Sequence, residues 1–330
     1  MAKKALLGVN LIVVGVVGFA IYVGATWNKQ WDVPMPTLKA STDPAIIAKG
    51  EYLVRGPAHC SNCHVASFDE MKRSDAGERL PLRGGVVFAL GPIGELSPSN
   101  LTPDVETGIG RYSDGQLFRM LRHAIKPDGT STLSGLMPFW KMADEDHVAI
   151  VSYLRSQKPV RNVVPGPDYF ILGKILRTFI SAFEPILHPT VAAFAPPTAP
   201  TVERGRYLAN NVADCFGCHT KHDRESAKQV GPDFGGGSEL EPMPFPDVDQ
   251  TIWFRTPNLT PHPTGYLKRV GTVENWVARM RAGRVYAGSP MPWGPFSRMK
   301  EADLIALWKY LNSVEPVEYM KGATTFKKES

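Results

Sequence analysis

Hydrophobic patterning divides the chain before any motif is considered. Ala5 to Trp27 is a run of 23 residues without a charge, enough to cross about 30 Å of hydrocarbon at about 1.5 Å per residue. Lys3 and Lys4 precede it, which predicts a cytoplasmic N-terminus and export of the remaining chain, with Trp27 and Trp31 at the far interface. A cleaved signal peptide is the competing reading, because "VGA" at 23–25 is a passable cleavage site. Its apolar region would run only about 7–15 residues, however, so the longer stretch reads as an uncleaved anchor. Beyond it the spacing is helical. Ile46, Ile47, Leu53 and Val54 follow an Asp43-Pro44 start, a capping residue with an early proline. Leu117, Met120, Leu121 and Ile125 predict a second helix. Val148, Val151 and Leu154 predict a third, with acids in its first turn. Ile305, Leu307, Trp308 and Leu311 predict another after "KEAD". Strand-like alternation is weak throughout, so the chain is expected to be mainly α.

The chain also repeats itself. "AKGEYLVRGPAHCSNCH" aligns with "ERGRYLANNVADCFGCH", and "NLTPDVETGIGRYSDGQLFRMLRHAI" with "NLTPHPTGYLKRVGTVENWVARMRAG". "GLMPFWKMADEDHVAIVSYLRS" aligns with "SPMPWGPFSRMKEADLIALWKYLNS". The offset is 155 residues for Cys60/Cys215, 158 for Asn100/Asn258 and 154 for Met137/Met291. Nearly constant offsets across three blocks mean a duplicated domain. The expected organisation is an anchor over 1–30, a domain over 31–160, a linker over 161–200, a second domain over 201–320 and a tail over 321–330. Each copy reads as an opening helix, an irregular Gly/Pro-rich middle and a closing helix. The linker has proline-rich flanks and an apolar centre, "YFILGKILRTFISAFEPIL". That centre reads as a strap packed between the domains, or as an interfacial helix or docking surface. It is too charged and broken for a second span.

Composition adds little beyond this. Two domains fit in 330 residues, and 43% apolar with 21% charged residues suits globular packing. The 30 glycines and 29 prolines predict much loop. A net charge of +5, partly from lysines near the two ends, leaves no nucleic-acid footprint.

The candidate chemistry lies in the 4 cysteines, which all fall in "HCSNCH" at 59–64 and "DCFGCH" at 214–219. Cys-x-x-Cys-His is the attachment signature of c-type haem. Two thiols a helical turn apart can reach the two vinyl groups on one porphyrin edge, and the next imidazole then faces the iron. Cys60, Cys63 and His64 would hold one covalently bound haem c, and Cys215, Cys218 and His219 a second. Zinc needs four ligands, usually with a second pair some 12–20 residues away, whereas Cys63 and Cys215 are 152 residues apart. His147, His188 and His262 are scattered singly. Redox thiols of this spacing sit in a thioredoxin-like βαβ pattern, which surrounds neither pair.

An electron-transfer haem takes a sixth ligand, most often methionine. Met137 in "GLMPFW" and Met291 in "SPMPWGPF" follow their histidines by 73 and 72 residues and precede a proline that restrains the loop. These two are the expected distal ligands. Met142 and Met299 are the fallback, and Met120 and Met280 are expected in the core. His59 is expected at the surface or near a propionate. His123 is a bis-histidine alternative. Arg83, Arg119, Arg122, Arg255 and Arg279 are candidate propionate partners or ordinary surface residues.

The segments "EYLVRGPAHCSNCH", "GGVVFALGPIGELSPSNLTPDVETGIGRYSDGQLFRMLRHAI" and "MPFWKMADEDHVAIVSYLRS" resemble the membrane-bound multi-haem cytochrome c subunits of alcohol, gluconate and aldehyde dehydrogenases. The resemblance is closer over about 43–160 than over 200–315. It implies tandem class I cytochrome c domains, which here would follow the N-terminal transmembrane helix. Those subunits commonly carry three haems and a C-terminal anchor, against two motifs and an N-terminal anchor here. The expected function is a membrane-anchored dihaem electron carrier without catalysis of its own, on the periplasmic side of a bacterial inner membrane. It would link a protein donor to a protein acceptor in a respiratory, photosynthetic or dehydrogenase complex. The alternative is a dihaem enzyme such as a peroxidase, which needs an open distal position at one haem.

Overall fold

A computed structural model describes residues 2–223, 228–319 and 322–328. Helix α1 (Ala2–Thr26) carries the apolar run. Over Gly8–Thr26 its mean hydropathy is 2.1, and it is the one helix among the described residues long and apolar enough to cross a membrane.

Helix α2 (Pro44–Arg55) starts where the sequence predicts, the Asp43 carboxylate accepting from the Ala45 amide at 2.8 Å with proline at the first position. Helix α3 (Phe68–Asp75) comes after the first cysteine motif and is capped by Ser67. Strands β1 (Phe88–Ala89) and β2 (Gly94–Leu96) form a small hairpin. Helix α4 (Asp114–His123) opens with a capping box between Ser113 and Gln116. Helix α5 (Asp144–Ser156) has three acids in its first turn. Strand β3 (Asp168–Tyr169) pairs with β2 and leads into α6 (Ile171–Phe179).

The second half begins with α7 (Val202–Tyr207), which continues through a π-helical turn, Leu208–Val212, towards α8 (Cys215–His219). Strands β4 (Glu239–Leu240), β5 (Ile252–Arg255) and β6 (Thr325–Lys327) form an antiparallel sheet. Helices α9 (Tyr266–Val270), α10 (Val273–Arg281), α11 (Trp293–Ser297) and α12 (Glu301–Leu311) complete the chain. The mainly helical expectation holds. The two small sheets were unannounced because strands of 2–4 residues are too short to show a period.

The repeated segments adopt matching arrangements. α2 lies so close to α5 that a Cβ on Gly50 would stand 1.9 Å from the Ala149 carbonyl oxygen. On Gly205 of α7 it would stand 2.0 Å from the Ala306 carbonyl of α12. Beside these crossings Lys49 pairs with Asp146 at 2.5 Å and Arg204 with Asp303 at 2.8 Å. Each aspartate then receives the tyrosine of the other half. The Tyr207 hydroxyl donates to Asp146 at 2.6 Å and the Tyr52 hydroxyl to Asp303 at 2.5 Å. Their oxygens accept the backbone amides of Ala143 and Lys300. The two halves are thus joined by reciprocal contacts, and one apolar cluster runs through both, from Leu53 and Ile150 to Leu208, Leu304 and Leu311.

α6 does not fill a groove between the halves. It packs against α1 and the Gly91–Ile93 turn of the first half.

Candidate functional site

Each Cys-x-x-Cys-His segment is wound into a single helical turn. Cys60–Asn62 is one 3-10 turn, closed by the Cys63 amide donating to the Cys60 carbonyl at 3.2 Å, which the His64 amide also meets at 3.0 Å. Cys215–His219 forms the short helix α8. The residue before each first cysteine is left-handed, with φ 41° at His59 and 50° at Asp214. All 4 cysteines are free thiols. Burial pushes the Cys60 thiol up to about 12 and the Cys63 thiol to about 11. Cys215 also reaches about 12, with the nearby Asp214 carboxylate adding to the rise. Thiols held this firmly protonated are poor redox nucleophiles.

Both motif histidines are buried and oriented identically. His64 Nδ1 donates to the Ser99 carbonyl at 2.8 Å, and His219 Nδ1 to the Pro257 carbonyl at 3.0 Å. With Nδ1 engaged, Nε2 carries the lone pair that can bind a metal, and burial lowers the pKa of both rings, which favours the neutral form. Their carbonyls accept amides from Gly84 (3.1 Å) and Gly236 (2.8 Å). Both glycines have positive φ, 64° and 75°, and a Cβ on either would strike backbone within 2.5 Å.

The accepting carbonyls sit next to a buried clamp. Asn100 Oδ1 accepts from the Thr102 amide at 2.9 Å, while Asn100 Nδ2 donates to the Val160 carbonyl at 2.9 Å. Asn258 repeats this with Thr260 at 2.8 Å and Val317 at 2.6 Å. Each clamp fastens the segment behind a closing helix, α5 or α12, to the carbonyl that orients a histidine. The "NLTP" landmark was visible as part of the repeat, but its role was not; recurrence in both copies beside a proline was the available signal.

Met137 and Met291 lie in matching turns, half-buried against the core. The amide two residues on donates back to the methionine carbonyl, at 2.9 Å from Phe139 and 2.8 Å from Trp293. The intervening prolines adopt φ/ψ of −80°/36° and −75°/65°, close to inverse γ-turns. Met142 and Met299 are fully buried core residues, as is Met280.

The remaining candidates have partners in the protein. His123 Nδ1 meets the Ile186 carbonyl at 2.6 Å, tying α4 to the linker. Arg83 pairs with Glu70, Arg122 with Asp144 and Arg255 with Glu239. Arg279 stacks on Trp293 at 3.7 Å. Arg119 is buried and bonds two carbonyls through one nitrogen, while its Nε has no hydrogen bond among the described residues. His59 is half-buried, its ring packing edge-on against Phe139 of its own half and Phe296 of the other.

The donor sets fit haem c. Two free thiols sit one turn apart, the following imidazole has its distal nitrogen open, and a Met-Pro turn recurs in each half. No group of three or more His, Cys, Asp or Glu suited to a simple metal ion occurs among the described residues. This is the chemistry of a c-type cytochrome.

Comparison with known proteins agrees. The chain is 29% identical over 303 residues to the cytochrome c subunit of a quinone alcohol dehydrogenase from Gluconacetobacter polyoxogenes, covering 86% of this chain and 59% of that protein. It is 32% identical over 182 residues to the gluconate 2-dehydrogenase cytochrome c subunit of Pantoea cypripedii, covering 53% and 38%. A diheme cytochrome c-type protein of Cereibacter sphaeroides is 25% identical over 205 residues, covering 61% and 63%. No family model matches the chain. The chain is therefore related to cytochrome c subunits of dehydrogenases, and it spans 59% of the length of the alcohol dehydrogenase relative.

Proposed function

We propose that this protein is a membrane-tethered dihaem cytochrome c that relays electrons between a protein donor and a protein acceptor. Cys60 and Cys63 would bind one haem by thioethers and Cys215 and Cys218 the other. His64 and His219 would ligate the irons through Nε2, and Met137 and Met291 would supply the second protein ligand to each. Haem c supplies an iron that takes up and releases one electron. The chain binds and orients it: the Ser99 and Pro257 carbonyls fix the imidazoles, and the γ-turns restrain the methionines. Burial of His64 and His219 would limit the access of water to their Nε2 ligands.

The observation that carries this reading is the matched pair of Nδ1–carbonyl bonds, one in each Cys-x-x-Cys-His turn. The dehydrogenase relatives support a subunit of a larger complex; the length and hydropathy of α1 support its role as the tether, and the haem domains (31–160 and 201–320) would then lie on the periplasmic side of a bacterial inner membrane. Catalysis would belong to the partner. A reductive titration of the purified chain tests this. Two electrons per chain are expected in haem c absorbance, falling to one when Cys60 and Cys63, or Cys215 and Cys218, become serine. Uptake unchanged by either pair of substitutions contradicts the reading.

A further inference from the structure

α6 is amphipathic with its faces reversed. At 3.6 residues per turn Ile171, Leu172, Ile175, Leu176 and Phe179 share one side, and Gly173, Lys174, Arg177 and Thr178 the other. In a water-soluble helix the apolar side packs inward. Here the buried positions are Gly173 and Arg177. A Cβ on Gly173 would stand 2.0 Å from the Ile93 carbonyl. Arg177 donates to the Trp27 and Ser131 carbonyls at 3.2 and 3.1 Å and lies over the Tyr169 ring. The apolar side points outward, with Ile171 79%, Phe179 56% and Leu172 41% exposed.

This outward face is continuous with α1. The Phe179 ring stacks on Phe19 with centroids 6.0 Å apart, and lies at the same distance from Tyr22. Phe19 lies seven residues before Thr26 at the end of the apolar span, a depth of about 10 Å along the helix. That is the depth at which an interfacial helix buries its apolar side. Lys174 leans over the Trp27 ring at 5.2 Å, placed to reach headgroups.

We propose that α6 is a second membrane contact. It lies in the phospholipid interface beside the point where α1 emerges, with Ile171, Leu172 and Phe179 in the acyl boundary. Arg177, held by the Trp27 carbonyl just beyond α1 and by the Ser131 carbonyl, fixes this helix to the first half. The halves are then set at one orientation to the bilayer instead of swinging on a flexible tether. The inference rests on α1 being embedded.

The test uses the full haem-loaded chain in phospholipid vesicles, with nitroxide labels on single cysteines introduced at Ile171, Leu172 and Phe179. Controls sit at Val14 in α1 and at Val105, 72% exposed on the first half. Accessibility to oxygen is compared with accessibility to a polar nickel chelate. A severalfold excess of oxygen is expected at Val14 and the three α6 positions, and an excess of nickel at Val105. Lipid contact at Val14 with nickel in excess on α6 overturns the proposal but leaves the tether intact. Nickel in excess at Val14 overturns both. Shielding of α6 only after a dehydrogenase partner is added makes the face a protein-docking surface, and shielding from both reagents in its absence makes it a self-association face. Each of these also overturns the proposal.

Discussion

Asn258 ties two segments of chain together with one side chain, so its loss is felt beyond its own volume. Asn258→Ala leaves the Thr260 amide and the Val317 carbonyl without this partner in a buried setting. The expected cost is about 1–3 kcal/mol, read from the urea midpoint. His147 gives a pH dependence. It is fully buried, and Nε2 donates to the Phe139 carbonyl at 3.0 Å. Burial and the nearby Arg122 charge hold its pKa down to about 3, against an ordinary 6.5. Above pH 6.5 the ring is neutral folded or unfolded. Below that, the unfolded chain takes up a proton that the folded chain refuses until about pH 3. His147 thus withdraws up to about 1.4 kcal/mol per pH unit as pH falls through this window. His147→Gln should flatten the difference between unfolding free energies measured at pH 7 and pH 4.5. At the proposed distal positions, Met137→Leu or Met291→Leu should each let one ferrous haem bind carbon monoxide and lower its potential, since a methionine ligand raises it. No carbon monoxide binding in either variant would remove these residues as ligands. The motif cysteines and histidines stand out in the sequence because the Cys-x-x-Cys-His signature is contiguous. The Ser99 and Pro257 carbonyls do not, because a backbone acceptor carries no residue identity.

Among the elements, Gly205 sets the packing of α7 on α12. An alanine in a helix gains up to about 1 kcal/mol over glycine from propensity alone. A Cβ at 2.0 Å from the Ala306 carbonyl outweighs that, because backbone on both sides must shift. Gly205→Ala should therefore destabilise, by about 1–3 kcal/mol, in thermal or urea unfolding, and Gly50→Ala should do the same in the first half. α2, α4, α5 and α12 were legible from apolar spacing and caps, as the Asp43-Pro44 start and the acids of α5 illustrate. The sheets were not, since register between β2 and β3 depends on tertiary placement of the linker. Nor was the reversal of α6: periodicity reveals two faces but not which one meets the protein, and that is decided by Gly173 and Arg177.

Across the whole molecule, the two halves are held by a reciprocal exchange. Tyr52 reaches Asp303 and Tyr207 reaches Asp146, and burial beside these carboxylates raises both phenols so that they remain donors. The alignment of Tyr52 with Tyr207 was visible in the sequence, but the crossing between halves was not, because equivalent positions in a duplication carry no record of which copy they touch. Tyr52→Phe and Tyr207→Phe should each cost about 1.5–3 kcal/mol, as loss of a hydrogen bond to a charged group. The two losses should depart from additivity, since Arg204, which pairs with Asp303, also lies over the Tyr207 ring. The same geometry fixes the two attachment turns relative to each other, with His59 lodged between Phe139 and Phe296. The most direct test of two haems on one chain is the intact mass of the full-length protein, taken under denaturing conditions after maturation with haem. The mass of the polypeptide plus two haems, with no free thiol left, is the predicted result. A chain carrying one haem or none, or with its cysteines paired as disulfides, would contradict it.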